Sequence, residues 1–107
     1  MNEALLLTKT DDFFTEDTEW GDIENLEEND QFSVKIFNVN PFSEVSPKTF
    51  RYQSRLLRVL SGNPVIVINQ ESNEAHKGDK FHIPMRSEHQ IVTHSKKAQI
   101  LEIAFLW

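Results

Sequence analysis

The sequence predicts an all-β fold, and three observations support this prediction. Short apolar runs of strand length alternate with turn signals along most of the chain. Phe32, Val34 and Ile36 alternate with polar residues, which is typical of a strand buried on one face. Residues 65–68 form a run rich in β-branched side chains, and such residues favour strands.

The remaining elements follow the same alternation of strand and turn. The segment Asn38–Pro41 ends the first strand, and Ser61–Pro64 separates two later ones. A turn at Gly78-Asp79 precedes a short strand that Pro84 closes. The final run, residues 98–107, is apolar on both faces, so it must be covered from two sides. The other predicted strands lie at 56–60, 81–83 and 91–92.

One segment also fits a helix. Ser46-Pro47 is a good helix start, and Gly62 suits a helix end. Arg51, Arg55 and Arg58 fall at helical spacing between these two points. A helix over 47–61 would make the fold α+β, and this alternative stays open at the level of residue patterns.

The chain has 107 residues, which is enough for one domain with one core. It contains no cysteine, which is consistent with a reducing, cytoplasmic setting. The apolar run Leu5–Leu7 is too short for a signal peptide or a membrane span. We expect a flexible N-terminal arm over residues 1–12 and a single domain over residues 13–107.

The charge is unevenly distributed. Residues 1–30 carry eleven acidic side chains against Lys9 alone, whereas the rest of the chain carries six acids against ten Lys and Arg. The net charge of -6 would repel phosphate backbones, so we do not expect a nucleic-acid partner. An acidic N-terminal region therefore precedes a mildly basic body.

Several motifs from Trp20 onward suggest a family. They are Trp20-Gly21, Ser61-Gly62 at the end of an apolar strand, and the run Gly78–Pro84 followed by His89. In these motifs the chain resembles the cupin domain of type II mannose-6-phosphate isomerases, which is also fused to mannose-1-phosphate guanylyltransferases. The resemblance implies a single-domain cupin, a jelly-roll β-barrel.

The same resemblance implies four positions for the ligands of a divalent metal, but the residues there are unusual. Counted back from Gly62, the position of the family's glutamate falls on Arg55. The two earlier ligand positions fall near Lys48 and Phe50, and only His89 keeps its type. Arginine stays protonated and repels a cation. We therefore expect no bound metal and no other cofactor.

The cations of this segment need anionic partners if they lie inside a barrel, because burying an unpaired charge is costly. No acidic residue lies between Lys48 and Arg58. One interpretation pairs the cations with the acidic N-terminal region, for instance with Asp22 or Glu24. The other is a binding site for an anionic small molecule or sugar phosphate, with arginine forking onto its oxygens. The candidate ligand-binding residues are Lys48, Arg51, Tyr52, Arg55, Arg86 and His89, with Gln53 as a further hydrogen-bonding group.

The histidines offer little catalytic machinery. We expect His76, His82 and His94 to lie at the surface. His89 is the one candidate for a catalytic base, and it also fits a hydrogen-bonded residue of the interior. No serine lies in a nucleophile-elbow pattern.

Three classes of function remain. The sequence favours a metal-free binding protein for a small molecule. The first alternative is an isomerase or epimerase of phosphorylated or activated sugars, and the second is an interaction or assembly protein. The doubly apolar final run predicts a homodimer. Alternatively, Phe13, Phe14 and Trp20 of the acidic region cover that run within one chain.

Overall fold

The computed structural model describes residues 14–106. Within this range it contains ten β-strands and no helix, which confirms the all-β prediction. No helix of these residues could therefore span a membrane. The predicted arm over residues 1–12, together with Phe13 and Trp107, lies outside the described residues. The strands are β1 Phe14–Thr18, β2 Gly21–Glu28, β3 Phe32–Val39, β4 Lys48–Thr49, β5 Gln53–Ser61, β6 Val65–Ile68, β7 Glu71–Glu74, β8 Lys80–Ile83, β9 Glu88–Val92 and β10 Ala98–Leu106.

The strands form two sheets. The larger sheet has the order β1-β2-β3-β10-β5-β8, and the smaller has the order β4-β9-β6-β7. All strand pairs are antiparallel. The inner faces of both sheets contribute to one hydrophobic core, so the architecture is a two-sheet jelly roll.

Alternate side chains along each strand point into the space between the two sheets and form the core. Leu57 on β5 and Ile100 on β10 point inward from the large sheet, and Ile66 on β6 and Ile91 on β9 meet them from the small sheet. Each of these side chains is almost fully buried. Burial of one such side chain stabilises the fold by about 1.5–3 kcal/mol.

The segment 47–61 forms strands, not the alternative helix. In β5, Arg55, Leu57 and Val59 are buried, whereas Arg58 is exposed. Helical spacing would have put Arg55 and Arg58 on one face, but the extended chain puts them on opposite faces. β5 pairs with β10 on one side and β8 on the other, and these long-range hydrogen bonds outweigh the local helix signals.

The final strand is apolar on both faces, as the sequence predicts. Ile100 and Ala104 are buried inside the sandwich, whereas Leu101 and Ile103 are half-buried on the outer face. Trp20 does not cover this outer face, because its ring stacks on the inward-pointing Phe37 with ring centroids 5.6 Å apart. The outer face of β10 thus has no cover from Trp20.

Two turns need glycine to different degrees. Gly62 and Gly78 both have positive φ, 84° and 92°. A Cβ on Gly62 would collide with the carbonyl oxygen of Lys97, whereas a Cβ on Gly78 would meet no atom within 4 Å. Both sites disfavour an L side chain, but only Gly62 is also sterically closed.

We therefore predict that Gly62→Ala costs about 3 kcal/mol of unfolding free energy, because backbone strain adds to a clash. Gly78→Ala, the matched control, should cost only about 1 kcal/mol from backbone strain. Urea denaturation of the two variants measures both values. Equal losses would contradict the packing of residues 61–62 against the start of β10.

Candidate functional site

A cavity of about 430 Å³ lies against the inner face of the large sheet. Its aromatic wall consists of Trp20, Phe37 and Phe50. Polar side chains from β1, β2, β3, β4, β5 and β10 complete the lining. The charged and polar members are Glu16, Thr18, Glu28, Ser33, Lys35, Lys48, Gln53, Arg55 and Glu102. A volume of this size suits a small polar molecule of the dimensions of a sugar.

A buried ion pair occupies the cavity wall. Arg55 on β5 and Glu102 on β10 are 6% and 5% exposed. The Nη1 atom of Arg55 lies 3.3 Å from Oε1 of Glu102, and its Nη2 donates a 2.6 Å hydrogen bond to Oε1 of Gln53. The antiparallel register brings the pair together, since Arg55 lies opposite Ala104 and Glu102 opposite Leu57.

The guanidinium of Arg55 is only partly satisfied. Its Cζ atom lies 3.5 Å from the centroid of the Phe50 ring, which is a close cation–π contact. Its Nε atom is buried and has no hydrogen-bond partner. The guanidinium therefore has one hydrogen-bond donor in the interior that is not satisfied.

Burial shifts the titration of both members of the pair. Desolvation raises the pKa of Glu102, and the positive charges of Arg55, Lys35 and Lys48 oppose this shift in that order. Desolvation lowers the pKa of Arg55, and Glu102 opposes it. Arginine nevertheless remains a cation at neutral pH, so the cavity keeps a fixed positive charge.

His89 on β9 is buried next to this cluster. It is 6% exposed, and its Nδ1 atom has no hydrogen-bond partner. Desolvation lowers its pKa to about 4, and the charges of Arg55 and Lys48 contribute to the same shift. The imidazole is therefore neutral at physiological pH. Its ring centroid lies 6.1 Å from that of Phe50.

The four positions that the resemblance assigned to metal ligands do converge in space. Lys48 pairs with His89 across β4 and β9, and Phe50 approaches both His89 and Arg55. An ammonium, an aromatic ring, a guanidinium and one imidazole do not make a site for a divalent metal. Among residues 14–106, no group of three or more His, Asp or Glu is placed to hold a metal ion. The residues present do not fit a metal centre.

The other predicted ligand-binding residues lie outside the cavity. Arg51, Tyr52 and Arg86 are exposed, Tyr52 to 67%. They lie close to Phe50 in the chain or the fold, since the backbone N–H of Arg86 donates to the Phe50 carbonyl. Lys48 lines the cavity although much of it is exposed. Lys48 and Arg55 thus both line the cavity. His89 does not line it, but its ring lies near that of Phe50.

The partner of the buried cation differs from the sequence-based interpretation. Asp22 and Glu24 accept hydrogen bonds from Nδ2 of Asn38, at 2.7 and 2.8 Å, on the outer face of the sheet. They do not pair with Arg55, so these two examples of the interpretation are wrong. The partner is Glu102, whose signal was visible as the lone acid in an apolar run with the same parity as Ile100.

The surface positions of the other histidines are as predicted. His76, His82 and His94 are all exposed, and none lines the cavity. His76 lies 3.8 Å from Oδ2 of Asp79 in the turn before β8. These histidines belong to loops and to the outer face of the large sheet.

Solved structures define the class of this fold. The protein plu4264 of Photorhabdus luminescens is 25% identical, with a TM-score of 0.74 over 86% of this chain and 80% of its own. A RmlC-like cupin of Shewanella frigidimarina is 16% identical, with a TM-score of 0.81 over 92% and 87% of the two chains. A predicted oxalate decarboxylase of Thermotoga maritima is 18% identical, with a TM-score of 0.69 over 81% and 83%. Residues 14–106 therefore form a cupin domain.

The family follows from the sequence profile. The profile described as mannose-6-phosphate isomerase C-terminal matches residues 9–105, and the chain belongs to this family. The resemblance inferred from the motifs around Trp20-Gly21 and Gly78–Pro84 is confirmed. A search of curated proteins finds no significant match to the chain.

The buried pair predicts a specific pattern of stability. Arg55→Met should lower the unfolding free energy by about 3–5 kcal/mol, because it leaves the Glu102 carboxylate buried without its partner. The double variant Arg55→Met/Glu102→Met should be within about 1 kcal/mol of the wild type or more stable. Chemical denaturation measures both. The single variant Glu102→Met completes the comparison. If the double variant lost as much stability as Arg55→Met and Glu102→Met added together, the two residues would not be coupled.

His89 predicts a dependence of stability on pH. Its pKa is near 6.5 in the unfolded chain and about 4 in the fold, so the unfolded state binds the proton first as the pH falls. The stabilisation that the neutral His89 gives to the fold is fully present above pH 6.5 and is lost as the pH falls towards 4. The free energy of unfolding decreases over this range by at most about 3 kcal/mol. Urea titrations between pH 4 and 7.5, on wild type and His89→Gln, measure the difference.

Glu102 changes the free energy of unfolding in the opposite direction. Its pKa is raised in the fold, so its contribution to stability increases as the pH falls. This contribution is common to both proteins, so the difference between wild type and His89→Gln isolates the histidine. A difference that does not change with pH would show that the histidine is not buried in its neutral form.

Proposed function

We propose that this cupin binds a small polar molecule with one anionic group, such as a sugar phosphate or a sugar acid, without a bound metal. The observation that carries the proposal is the Arg55 guanidinium, which lines the cavity wall and keeps a positive charge there. A guanidinium in this setting suits carboxylate or phosphate oxygens, which it binds by charge-assisted hydrogen bonds.

The charge around Arg55 supports a single anionic group. Lys35 and Lys48 also line the cavity, and within residues 14–106 neither forms an ion pair. Glu16, Glu28 and Glu102 line it as well. The three cations are thus balanced by three acids, which disfavours a ligand with several anionic groups. The same carboxylates suit the hydroxyl groups of a sugar, because they accept hydrogen bonds.

The aromatic wall supports a ligand with an apolar face. Trp20 and Phe37 are stacked with an interplanar angle of 22°, and both line the cavity. A sugar ring has such a face, whereas inorganic phosphate does not. Polar contacts at one wall and aromatic contacts at another orient a ligand in one way, as ligand cavities commonly do.

Binding is tested with mannose 6-phosphate, mannose and inorganic phosphate by isothermal titration and amide spectra. We expect mannose 6-phosphate to bind with and without a chelator. Arg55→Met/Glu102→Met, which should keep the fold, should weaken binding about 10-fold to 100-fold, because one charge-assisted contact is lost. Lys48→Gln should weaken it less, since Lys48 is largely exposed.

Arg51→Gln and Arg86→Gln are the matched controls, since both arginines are exposed and outside the cavity. Binding that depends on these residues as strongly as on Arg55 would place the site at the surface. The absence of binding by all three probes at millimolar concentration would contradict the proposal.

The family description favours a second candidate, an isomerase acting on mannose 6-phosphate. The supporting observation in the structure is Glu102, a cavity carboxylate whose pKa is raised by burial, since such a group suits a general base. In this candidate, Glu102 removes the proton at C2 of the open-chain aldose and returns it at C1, the hydroxyl proton of O2 passes to O1, and Arg55 stabilises the enediolate oxygen. Ketose phosphate formation that resists a chelator and is lost in Glu102→Gln would support it. If no ketose phosphate forms above the uncatalysed rate, this second candidate is rejected and only the binding function remains.

A further inference from the structure

The cavity changes in charge from one side to the other. Lys48 and Arg55 lie on the side formed by β4 and β5, whereas Glu16 and Glu28 lie on the side formed by β1 and β2. The order of the large sheet places β3 and β10 between these two sides. The cavity therefore has a basic end, defined by Lys48 and Arg55, and an acidic end, defined by Glu16 and Glu28.

Glu28 and Arg55 lie at the two ends of one row of residues across the large sheet. Glu28 on β2 pairs with Ser33 on β3. Ser33 pairs with Ala104 on β10, and Ala104 pairs with Arg55 on β5. Three strand spacings of about 4.8 Å separate the two ends, so the backbones at Glu28 and Arg55 are about 14 Å apart along this row.

The middle of this row leaves room for a ligand because its side chains are small. Ser33 and Ala104 are both buried, and Ser33 lines the cavity. Glu28 and Arg55 line the same cavity but form no ion pair with each other, since the carboxylate partner of Arg55 is Glu102. A small polar molecule that lies across this row reaches Arg55 with one end and Glu28 with the other.

The carboxylate of Glu28 has no cationic partner within the part of the chain that the structure describes. The acids that form ion pairs there are Glu102 and Asp79. Lys35 lies in the neighbouring row, but it is directly opposite Glu102, whose charge offsets it. Glu28 is also exposed at the edge of the cavity, where a ligand group can reach it. The acidic end therefore offers an unpaired carboxylate that attracts a cationic group.

We infer that the ligand is dipolar: it carries an ammonium group at the end opposite to its anionic group, and Glu28 binds this ammonium group. The inference rests on the proposed function, in which Arg55 binds the anionic group. The charges of such a ligand largely cancel, which agrees with the balance of cations and acids in the cavity. Amino sugar phosphates and amino sugar acids belong to this class of ligand.

The difference in charge between the two ends favours an ammonium group over a hydroxyl group. A hydroxyl group would also donate a hydrogen bond to Glu28, but a charged donor forms the stronger bond with a carboxylate. The same difference fixes the direction of a dipolar ligand. In the reversed orientation, its ammonium group would lie beside Lys48 and Arg55, and its anionic group beside Glu28.

The test compares two ligands that differ only at C2. Glucosamine 6-phosphate carries an ammonium group there, and glucose 6-phosphate carries a hydroxyl group. Isothermal titration at about pH 6.5 keeps the amino group protonated, because α-amino groups titrate at about pH 8. We expect glucosamine 6-phosphate to bind the wild type about fivefold more tightly, which is the effect of one exposed ion pair.

Three variants locate the preference. Glu28→Gln should remove it, whereas the affinity for glucose 6-phosphate should change less than about twofold. Glu27→Gln is the matched control and should keep the preference, because Glu27 is exposed and does not line the cavity. Arg55→Met/Glu102→Met should weaken the binding of both ligands by the same factor and also keep the preference. Thermal melts of all three variants provide the folding control.

The outcomes separate this inference from the proposed function. If glucose 6-phosphate binds and glucosamine 6-phosphate binds no more tightly, the inference is overturned and the proposed function stands. A preference that persists in Glu28→Gln also overturns the inference, because the ammonium group then lies elsewhere. If neither ligand binds at millimolar concentration, the proposed function fails, and the inference fails with it.

Discussion

The chemistry of this cupin depends on one interaction, the buried pair of Arg55 and Glu102. Neither charge is stable alone in the interior, so each requires the other. The pair crosses from β5 to β10 and lies among the positions that the family uses for metal ligands. A guanidinium there attracts carboxylate or phosphate oxygens and repels divalent cations. The barrel thus keeps a cavity while the charge chemistry of that cavity changes.

The fold is predictable from the sequence because its signals are mostly local. The β-branched run Val65–Ile68 and the turn at Gly78 correspond to observed elements. The alternation at Phe32–Ile36 corresponds to β3, but Val34 and Ile36 lie on its outer face, and Phe37 is on the core face. The segment 47–61 was ambiguous for a physical reason. Caps and arginine spacing act over a few residues, whereas the pairing of β5 with β10 and β8 joins distant segments. No local sequence pattern indicates the pairing of β5 with β10 and β8.

The site is predictable only in part, for a related reason. Motif spacing predicted Arg55 and His89 as interior residues, and both are buried, because both lie at fixed distances from glycines and turns. Glu102 was missed as the partner because the register between β5 and β10 is not visible in the sequence. Arg51 and Tyr52 are close to Arg55 along the chain, but they precede β5 and point into solvent. Sequence proximity to Arg55 was therefore a poor guide to cavity lining.

Phe50 prevents a single substitution from creating a metal centre in this cavity. Its ring packs on Arg55 and approaches His89, so it fills space that a coordinating atom would need. A carboxylate at position 55 alone would face Glu102 and create a repulsive buried pair, and a histidine at position 50 alone would remove the ring under the cation. Recovering a metal centre requires coordinated changes at 48, 50 and 55. A carboxylate at position 55 alone would be costly, because it leaves two buried charges of the same sign side by side.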